Sequence, residues 1–341
     1  MGNQSRYTEA GVDIDTGQRA VELMKAAVKS TYNTAVLSDT GSFGGLYLID
    51  FPDLARPILV ASTDGVGTKT KVAAQMGRWD TVGQDLVNHC INDILVQGAR
   101  PLFFLDYIAS SQIDPEQIAT IVKGMTVACR EADCALLGGE TAEMPGVYQP
   151  GEVDVAGTIV GVVDYPNLID GSKIQPGDAI LGLPSTGLHT NGYSLARAVL
   201  KDLDWTKTHP DLGCAPDEVL LAIHRSYLPA FNRLIKAGID VRGLAHITGG
   251  GVVDNLPRIL PAGIGAVIRR GTWPVLPIFS LIQRLGKVAD AEMFRVFNMG
   301  LGMLVVLPAE QVTAAQTALA EVSYLVGEIV AGPIGVSITG D

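Results

Sequence analysis

PILVASTDGVGTKTK, Pro57 to Lys71, joins an apolar run to an acid, two glycines and two lysines. The run reads as a strand ending at Asp64, and the glycines after it read as a loop. Two standard nucleotide loops do not fit. A P-loop needs Gly-Lys-Ser/Thr after its gap, but here Lys69 follows Thr68. A dinucleotide fingerprint needs a third glycine where Thr70 stands, after Gly65 and Gly67. What remains is a carboxylate at a strand end and a turn rich in backbone N–H groups. The carboxylate suits a magnesium ion, and the turn with Lys69 suits phosphate oxygens. An ordinary strand-to-turn junction fits this stretch, taken alone, equally well.

Outward from it, strands and helices alternate. DTGQRAVELMKAAVKS (15–30) places Val21, Met24, Ala27 and Val28 at helical spacing, with Asp15 or Thr16 as N-cap. Gly41, Gly44 and Gly45 permit a turn backing onto a strand, Leu46 to Phe51. WDTVGQDLVNHCINDILVQGAR reads as a helix with Gly98 near its C-terminal cap. PLFFLDYIAS reads as a strand, and a helix opened by Asp114 and Pro115 follows. CALLGGETAEMPG reads as a strand running into a glycine-rich turn, and VDVAGTIVGVVDY as a further strand. The pattern predicts an α/β (α+β) chain of two domains, 1–168 and 169–341, with turn signals at Asp170-Gly171 and Pro176-Gly177 near the boundary. Strand, loop and helix units are expected to close the chain, and the first dozen residues to be mobile unless a partner holds them.

The 341 residues are 47% hydrophobic and 18% charged, which supports a large core and argues against disorder. A formal net charge of −11 argues against sequence-independent nucleic-acid binding, which needs a basic surface. A few local cations still suffice for a phosphorylated small substrate. Cys90, Cys129, Cys134 and Cys214 form no CxxC pair and read as reduced, mostly buried thiols of a cytoplasmic protein. No segment has signal-peptide character or approaches the ~20 apolar residues of a membrane span. The mean hydropathy of +0.27 then reflects a large core or a buried subunit interface.

Acids gather at expected strand ends: Asp64, Asp106, and Glu140 after Gly138 and Gly139. Ligands of open α/β sheets collect there. On the expected helix, Asp85, Asn88, His89 and Asn92 fall at i, i+3, i+4 and i+7, with Asp93 beside them. A solvated face is the simpler account, but short carboxylates and amides without Lys or Glu suit magnesium and phosphate better. Asp93 reads as functional, and His89 as a packed or hydrogen-bonded histidine. Spacing alone leaves Lys25 a surface lysine. In the second half, HTNGYS (189–194) and TGGG (248–251) each lead into a helix, where exposed N–H groups favour an anion. His189 has the chemistry of a proton shuttle. A tight turn with a helix cap explains either loop alone. Together with the acid cluster, the two loops suggest a phosphorylated substrate on one side and MgATP on the other.

YTEAGVDIDTG, STDGVGTK, VNHCINDILVQGARPLFFLDYIA, LLGGETAEMPGVY, DVAGTIVGVVD, GLHTNGYSLAR and HITGGGVVDNLPRIL closely resemble, in order, segments of the phosphoribosylformylglycinamidine cyclo-ligases, the aminoimidazole ribonucleotide synthetases. VFNMGLGM (296–303) extends the resemblance to most of the chain. Several motifs are shared with selenophosphate synthetase, thiamine-monophosphate kinase and a hydrogenase-maturation protein; GGETAEMPG with AGVDID narrows the match. The resemblance implies that formylglycinamidine ribonucleotide and ATP give aminoimidazole ribonucleotide, ADP and phosphate, in purine biosynthesis. It implies MgATP ligation by Asp64, Asp93 and Glu140, with ATP contacts from Lys25, Gly44, Gly45, Gly65, Gly67, Thr68, Lys69, Asn92, Gly138 and Gly139. It implies substrate contacts from His189, Thr190, Asn191, Gly249, Gly250 and Gly251, with His189 and the three acids as the catalytic set. It also implies a homodimer whose N-terminal sheets pair into a barrel, with ATP sites near the interface and an α/β C-terminal domain. Asp254 departs from the glutamate expected there, and His89 stands where many members have no histidine. A selenophosphate synthetase should carry a reactive cysteine near its N-terminus, whereas the first here is Cys90, and the hydrogenase-maturation member ends in a cysteine, whereas this sequence ends SITGD. The alternatives are a sister kinase such as thiamine-monophosphate kinase, or a non-catalytic nucleotide-binding subunit.

Overall fold

The computed structural model describes residues 14–340. The expected mobility of the first dozen residues, and most of YTEAGVDID, lie outside them. The chain divides into two compact units. One holds the residues up to Ile94 with Arg100–Tyr165; the other holds Leu95–Ala99 with the residues from Pro166 onward.

The first unit runs α1 (Ile14–Lys29), β1 (Pro57–Gly65), α2 (Lys69–Met76), α3 (Val82–Leu95), β2 (Arg100–Ser110), α4 (Pro115–Glu131), β3 (Ala135–Glu143) and β4 (Val153–Asp164). Its four-stranded sheet has the order β1-β4-β2-β3. Only β2 and β3 are parallel; β4 runs antiparallel to both neighbours. The pleat sorts the side chains. Val60, Phe104, Ile108, Val155 and Ile159 lie on one buried face. The opposite face carries Leu59 and Leu105, 55% and 37% exposed. α3 and α4 approach closely at glycines: a Cβ on Gly83 would stand 2.0 Å from the Ile121 carbonyl, and one on Gly124 would stand 3.1 Å from that of Asp80.

α4 begins as its sequence dictates. Asp114 accepts from the N–H groups of Glu116 (3.0 Å) and Gln117 (3.2 Å), and Pro115 fills the first turn, where no N–H is needed. Asp114→Ala is expected to cost about 1 kcal/mol by loss of this cap. Urea unfolding followed by circular dichroism measures it, and an unchanged midpoint would contradict the capping role.

Several elements differ from expectation. Asp15 and Thr16 lie inside the first turn of α1 rather than capping it. No strand covers Leu46–Phe51; the segment makes only an isolated bridge, Val36 to Tyr47. α2 appears where a loop was expected, closed by Gly77 at φ 61°, a left-handed cap. Asp106 and Glu140 lie within β2 and β3 rather than at their ends, and Gly138 and Gly139 are strand residues, not a turn.

The second unit runs β5 (Ala179–Pro184), α5 (Tyr193–Leu200), α6 (Pro216–Leu220), α7 (Leu228–Lys236), β6 (Gly243–His246), α8 (Gly251–Asn255), β7 (Ile264–Arg269), α9 (Pro277–Gly286), α10 (Asp290–Val296), β8 (Leu301–Leu307), α11 (Val312–Leu319), β9 (Tyr324–Ala331) and β10 (Val336–Thr339). Its six strands have the order β10-β7-β9-β5-β8-β6. β10 and β7 are parallel, and the other pairs are antiparallel. β8 reads LGMLVVL and is buried at every position, the continuous apolar run of a strand covered on both faces. The chain closes on β9 and β10, beyond the strand, loop and helix units expected. Among the described residues no helix is long and apolar enough to cross a membrane.

Candidate nucleotide and substrate sites

In the first unit the polar stripe of α3 turns inward. Asp85, Asn88, His89 and Asn92 are 0%, 6%, 3% and 0% exposed, so a solvated face is excluded. His89 Nε2 stands 2.8 Å from Asp64 Oδ2 and 3.6 Å from Asp93 Oδ2. Ser62 Oγ donates to Asp93 at 3.3 Å, and the Gly65 N–H to Asp64 Oδ1 at 2.7 Å. The strand end and the helix thus bring both acids to one imidazole. His89 is packed and bonded, as its sequence reading has it, but its partners are the two candidate metal ligands. Burial opposes its charge, while the Asp64 contact and the nearby Asp93 and Asp85 charges outweigh burial, so its pKa rises. The signal for this role was present in the i, i+4 spacing of His89 and Asp93. Asp64 and Asp93 keep 42% and 24% of their side chains exposed. Two hard oxygen donors with an open side fit a magnesium ion that keeps waters and binds phosphate.

Lys69 corrects an expectation. Read as a phosphate contact on an open loop, it is the first residue of α2, fully buried, and its Nζ lies 2.8 Å from Asp85 Oδ2. Burial lowers its pKa, and Asp85 opposes that shift. Lys25 is exposed on α1.

Glu140 does not join Asp64 within one chain. β1 and β3 are opposite edges of the sheet, three strand spacings or about 14 Å apart. Register repeats the separation: Asp64 and Asp106 both face Gly157 across β4, whereas Glu140 pairs with Tyr107, one pleat position on. Glu140 instead lines a cavity of about 850 Å³ with Gly44, Gly45, Gly138, Gly139 and Asp106. α1 and the 38–45 loop form its other wall. Lys29, 2.7 Å from Asp39, ties the end of α1 to that loop and lowers the Asp39 pKa. Gly139 is required here, because a Cβ would stand 2.1 Å from Asp106 Oδ1.

Burial pushes the Asp106 carboxyl up to about 7, its own backbone N–H pulls it down, and Glu140 pushes it further up. The folded state therefore holds this proton more tightly than the unfolded chain, where the value is near 3.8. Between those values the folded state binds more protons, so Asp106 makes stability fall as pH rises from about 4 to about 7. Asp106→Asn is expected to flatten that slope and to raise the urea midpoint at pH 7. An unchanged slope would contradict the shift.

In the second unit, β5 leads into the loop of His189, Thr190 and Asn191 before α5. His189 is 1% exposed and held at φ 60°, a costly conformation for a non-glycine residue. The Thr186 N–H points at His189 Nε2 from 3.2 Å, so that nitrogen accepts and the ring proton sits on Nδ1. Nε2 can take a proton only after this bond opens. β6 leads into Gly249–Gly251, which Asn255 pins by donating to the carbonyls of Thr248 (3.3 Å), Gly249 (3.2 Å) and Gly251 (2.8 Å). The two loops meet: a Cβ on Gly249 would stand 3.2 Å from Asn191 Oδ1. Gly251 needs its φ of 59° and its missing side chain, because a Cβ would lie 2.0 Å from the Phe294 carbonyl. α8 has only five residues, so backbone N–H groups rather than a long helix dipole would serve an anion there. Asp254, the shortened acid, takes Arg295 at 3.0 Å. The sequence reading did not single out Asn255 as the residue that pins this loop, although it lies only four positions past the triple glycine.

Two mixed sheets, one with an acid pair at its edge and one with two facing glycine and histidine loops, define a two-unit α/β class, and comparison with known proteins gives its family. The model for "AIR synthase related protein, N-terminal domain" matches residues 51–163, and that for the C-terminal domain matches 175–339. The chain belongs to the AIR synthase related family. It is 52% identical over 334 residues to a phosphoribosylformylglycinamidine cyclo-ligase of Desulfitobacterium hafniense, covering 97% of this chain and 98% of the relative. It is 47% identical over 340 residues to the protein of that name from Geobacillus thermodenitrificans, covering 98% of each. Among solved structures, thiamine-monophosphate kinase from Stenotrophomonas maltophilia K279a has a TM-score of 0.68 at 17% identity, covering 94% of this chain and 96% of that one. The hydrogenase maturation protein HypE in complex with ATP has a TM-score of 0.67 at 19% identity, covering 96% and 92%. At such identities the structures share the fold alone.

Proposed function

We propose that this protein closes the imidazole ring of aminoimidazole ribonucleotide, using ATP and formylglycinamidine ribonucleotide and releasing ADP and phosphate, in purine biosynthesis. The observation that carries this reading is the near-full-length likeness to relatives named phosphoribosylformylglycinamidine cyclo-ligase. A sister kinase is not favoured, because thiamine-monophosphate kinase shares the fold at only 17% identity.

The chemistry asks little covalent work of the protein. A formyl oxygen is a poor leaving group. Phosphorylation converts it to an iminophosphate, the amidine-side nitrogen attacks that carbon, and phosphate departs with the oxygen. Positioning and charge neutralisation supply the catalysis. The first unit, with Asp64, Asp93, Asn92 and the Gly65–Thr68 turn, takes the nucleotide phosphates in this reading. Bound magnesium would offset phosphate charge beside Asp64 and Asp93. In the second unit, Asn191, Thr190 and Gly249–Gly251 hold the ribonucleotide, with His189 donating from Nδ1. Glu140, Gly44, Gly45, Gly138 and Gly139 line the separate cavity at the other sheet edge. A homodimer pairing the open sheet faces through Leu59 and Leu105 would give that cavity a route to a partner's β1. Acidic composition and thiols that are all free suit a cytoplasmic enzyme without nucleic-acid or membrane partners.

The test is an oxygen label. With 18O in the formyl group, the reading predicts one labelled oxygen in each phosphate released. Unlabelled phosphate, with the label recovered in water instead, would refute phosphorylation at that oxygen.

A further inference from the structure

Three histidines meet inside the second unit. His189, His224 and His246 are 1%, 0% and 6% exposed, and each offers a ring nitrogen within 4.8 Å of the others. His189 lies in one candidate substrate loop, and His246 ends the strand that launches the other. His224 belongs to neither and sits in the irregular segment between α6 and α7.

His224 uses both its ring face and its nitrogens. Its ring stacks on His189, with centroids 4.0 Å apart and planes inclined by 19°. Its Nδ1 is 3.3 Å from Thr190 Oγ1, and its Nε2 is 3.0 Å from His246 Nε2. Two facing imidazole nitrogens share one hydrogen, so one ring donates and the other accepts. Charging both rings would place like charges in contact where water cannot screen them. The His224–His246 pair therefore cannot carry two charges at once.

A transition metal is the other common use of three imidazoles. Stacked rings, however, send their lone pairs along nearly parallel planes. His189 and His224 so arranged do not converge on one ion at about 2.1 Å. Both nitrogens of His224 also already have hydrogen-bond partners.

We propose that His224 is a positioning residue that holds the His189 ring in its neutral, Nδ1-protonated form and ties the 189–191 loop to the strand launching Gly249–Gly251. The inference rests on reading these loops as the ribonucleotide site. The left-handed backbone of His189 makes such a support necessary, since that conformation persists only where its surroundings over-determine it. The Thr186 N–H fixes one nitrogen of His189, and the His224 ring fixes its plane. Through Thr190 and His246, one imidazole sets the spacing of two loops that must grip one ligand.

The test uses the full chain with His224→Ala and His224→Gln. Glutamine keeps an amide that can reach Thr190 or His246 but has no ring to stack. Long-range 15N–1H spectra report the His189 tautomer without any turnover. Initial rates give separate KM values for formylglycinamidine ribonucleotide and for MgATP. The wild type is expected to show a single Nδ1–H tautomer at His189. His224→Ala is expected to mix the tautomers and to raise the ribonucleotide KM roughly tenfold while the MgATP KM stays within about twofold. His224→Gln should fall between the two. An unchanged His189 spectrum in folded His224→Ala, or equal rises in both KM values, overturns the proposal. So does an equivalent of zinc that elemental analysis finds retained by the wild type. Should His224→Ala not fold, His224→Gln carries both readouts. A wild type with no ribonucleotide-dependent turnover would refute the proposed function, and the spectra would still decide the role of His224.

Discussion

Asp93→Asn is expected to lower ADP formation by about a thousandfold while leaving the fold intact. The substitution keeps size and an acceptor for Ser62 Oγ, which bonds Asp93 at 3.3 Å, and removes only the charge. Lost electrostatic stabilisation of this kind is worth about 3–4 kcal/mol in a transition state. Asp93 is partly exposed, so its own burial contributes little to folding. The His89 pKa, raised in part by this charge, should fall in the variant, and imidazole NMR would detect that. Full turnover in Asp93→Asn would remove Asp93 from the site.

The second large effect is on stability. Lys69 and Asp85 form an ion pair at 2.8 Å with both side chains wholly buried. Removing one partner strands a charge in the core, which typically costs about 3–5 kcal/mol. Lys69→Met is thus expected to lower the urea midpoint of the first unit sharply, and Asp85→Asn likewise. The double variant, with no charge to strand, should lose at least about 2 kcal/mol less than the sum of the two. Additive losses would mean that the pair is not energetically coupled. Turnover should fall with folding rather than ahead of it, since Lys69 faces Asp85 and not solvent.

Pattern carried well where local chemistry decides structure. Pro57–Gly65, the Asp114 cap and the left-handed turn at Gly98 are all set by near neighbours in sequence. The spacing of Asp85, Asn88, His89 and Asn92 likewise places them on one face. Its direction was not legible, because α3 is buried all round: Val82, Leu86, Val87, Cys90 and Ile91 are each 0% exposed. Gly138-Gly139 misled for a tertiary reason. Paired glycines usually mark a turn, but here the second makes room for the Asp106 carboxylate crossing β3. Lys69 misled because its partner, Asp85, lies on a different helix, and no local pattern announces a buried pair. The separation of Asp64 from Glu140 follows from a sheet order in which β4 inserts between β1 and β2, and sequence order alone does not reveal that insertion. The family motifs supplied the candidate residues, while their grouping into an acid pair, a cavity and two facing loops required the fold.

The central claim is that one ATP is consumed for each ring closed. The decisive measurement follows ADP and aminoimidazole ribonucleotide in one tube, with MgATP, with and without formylglycinamidine ribonucleotide. The account predicts that both products appear one for one and only when the ribonucleotide is present. ADP without the aminoimidazole product, or ADP released instead with thiamine monophosphate, would contradict it.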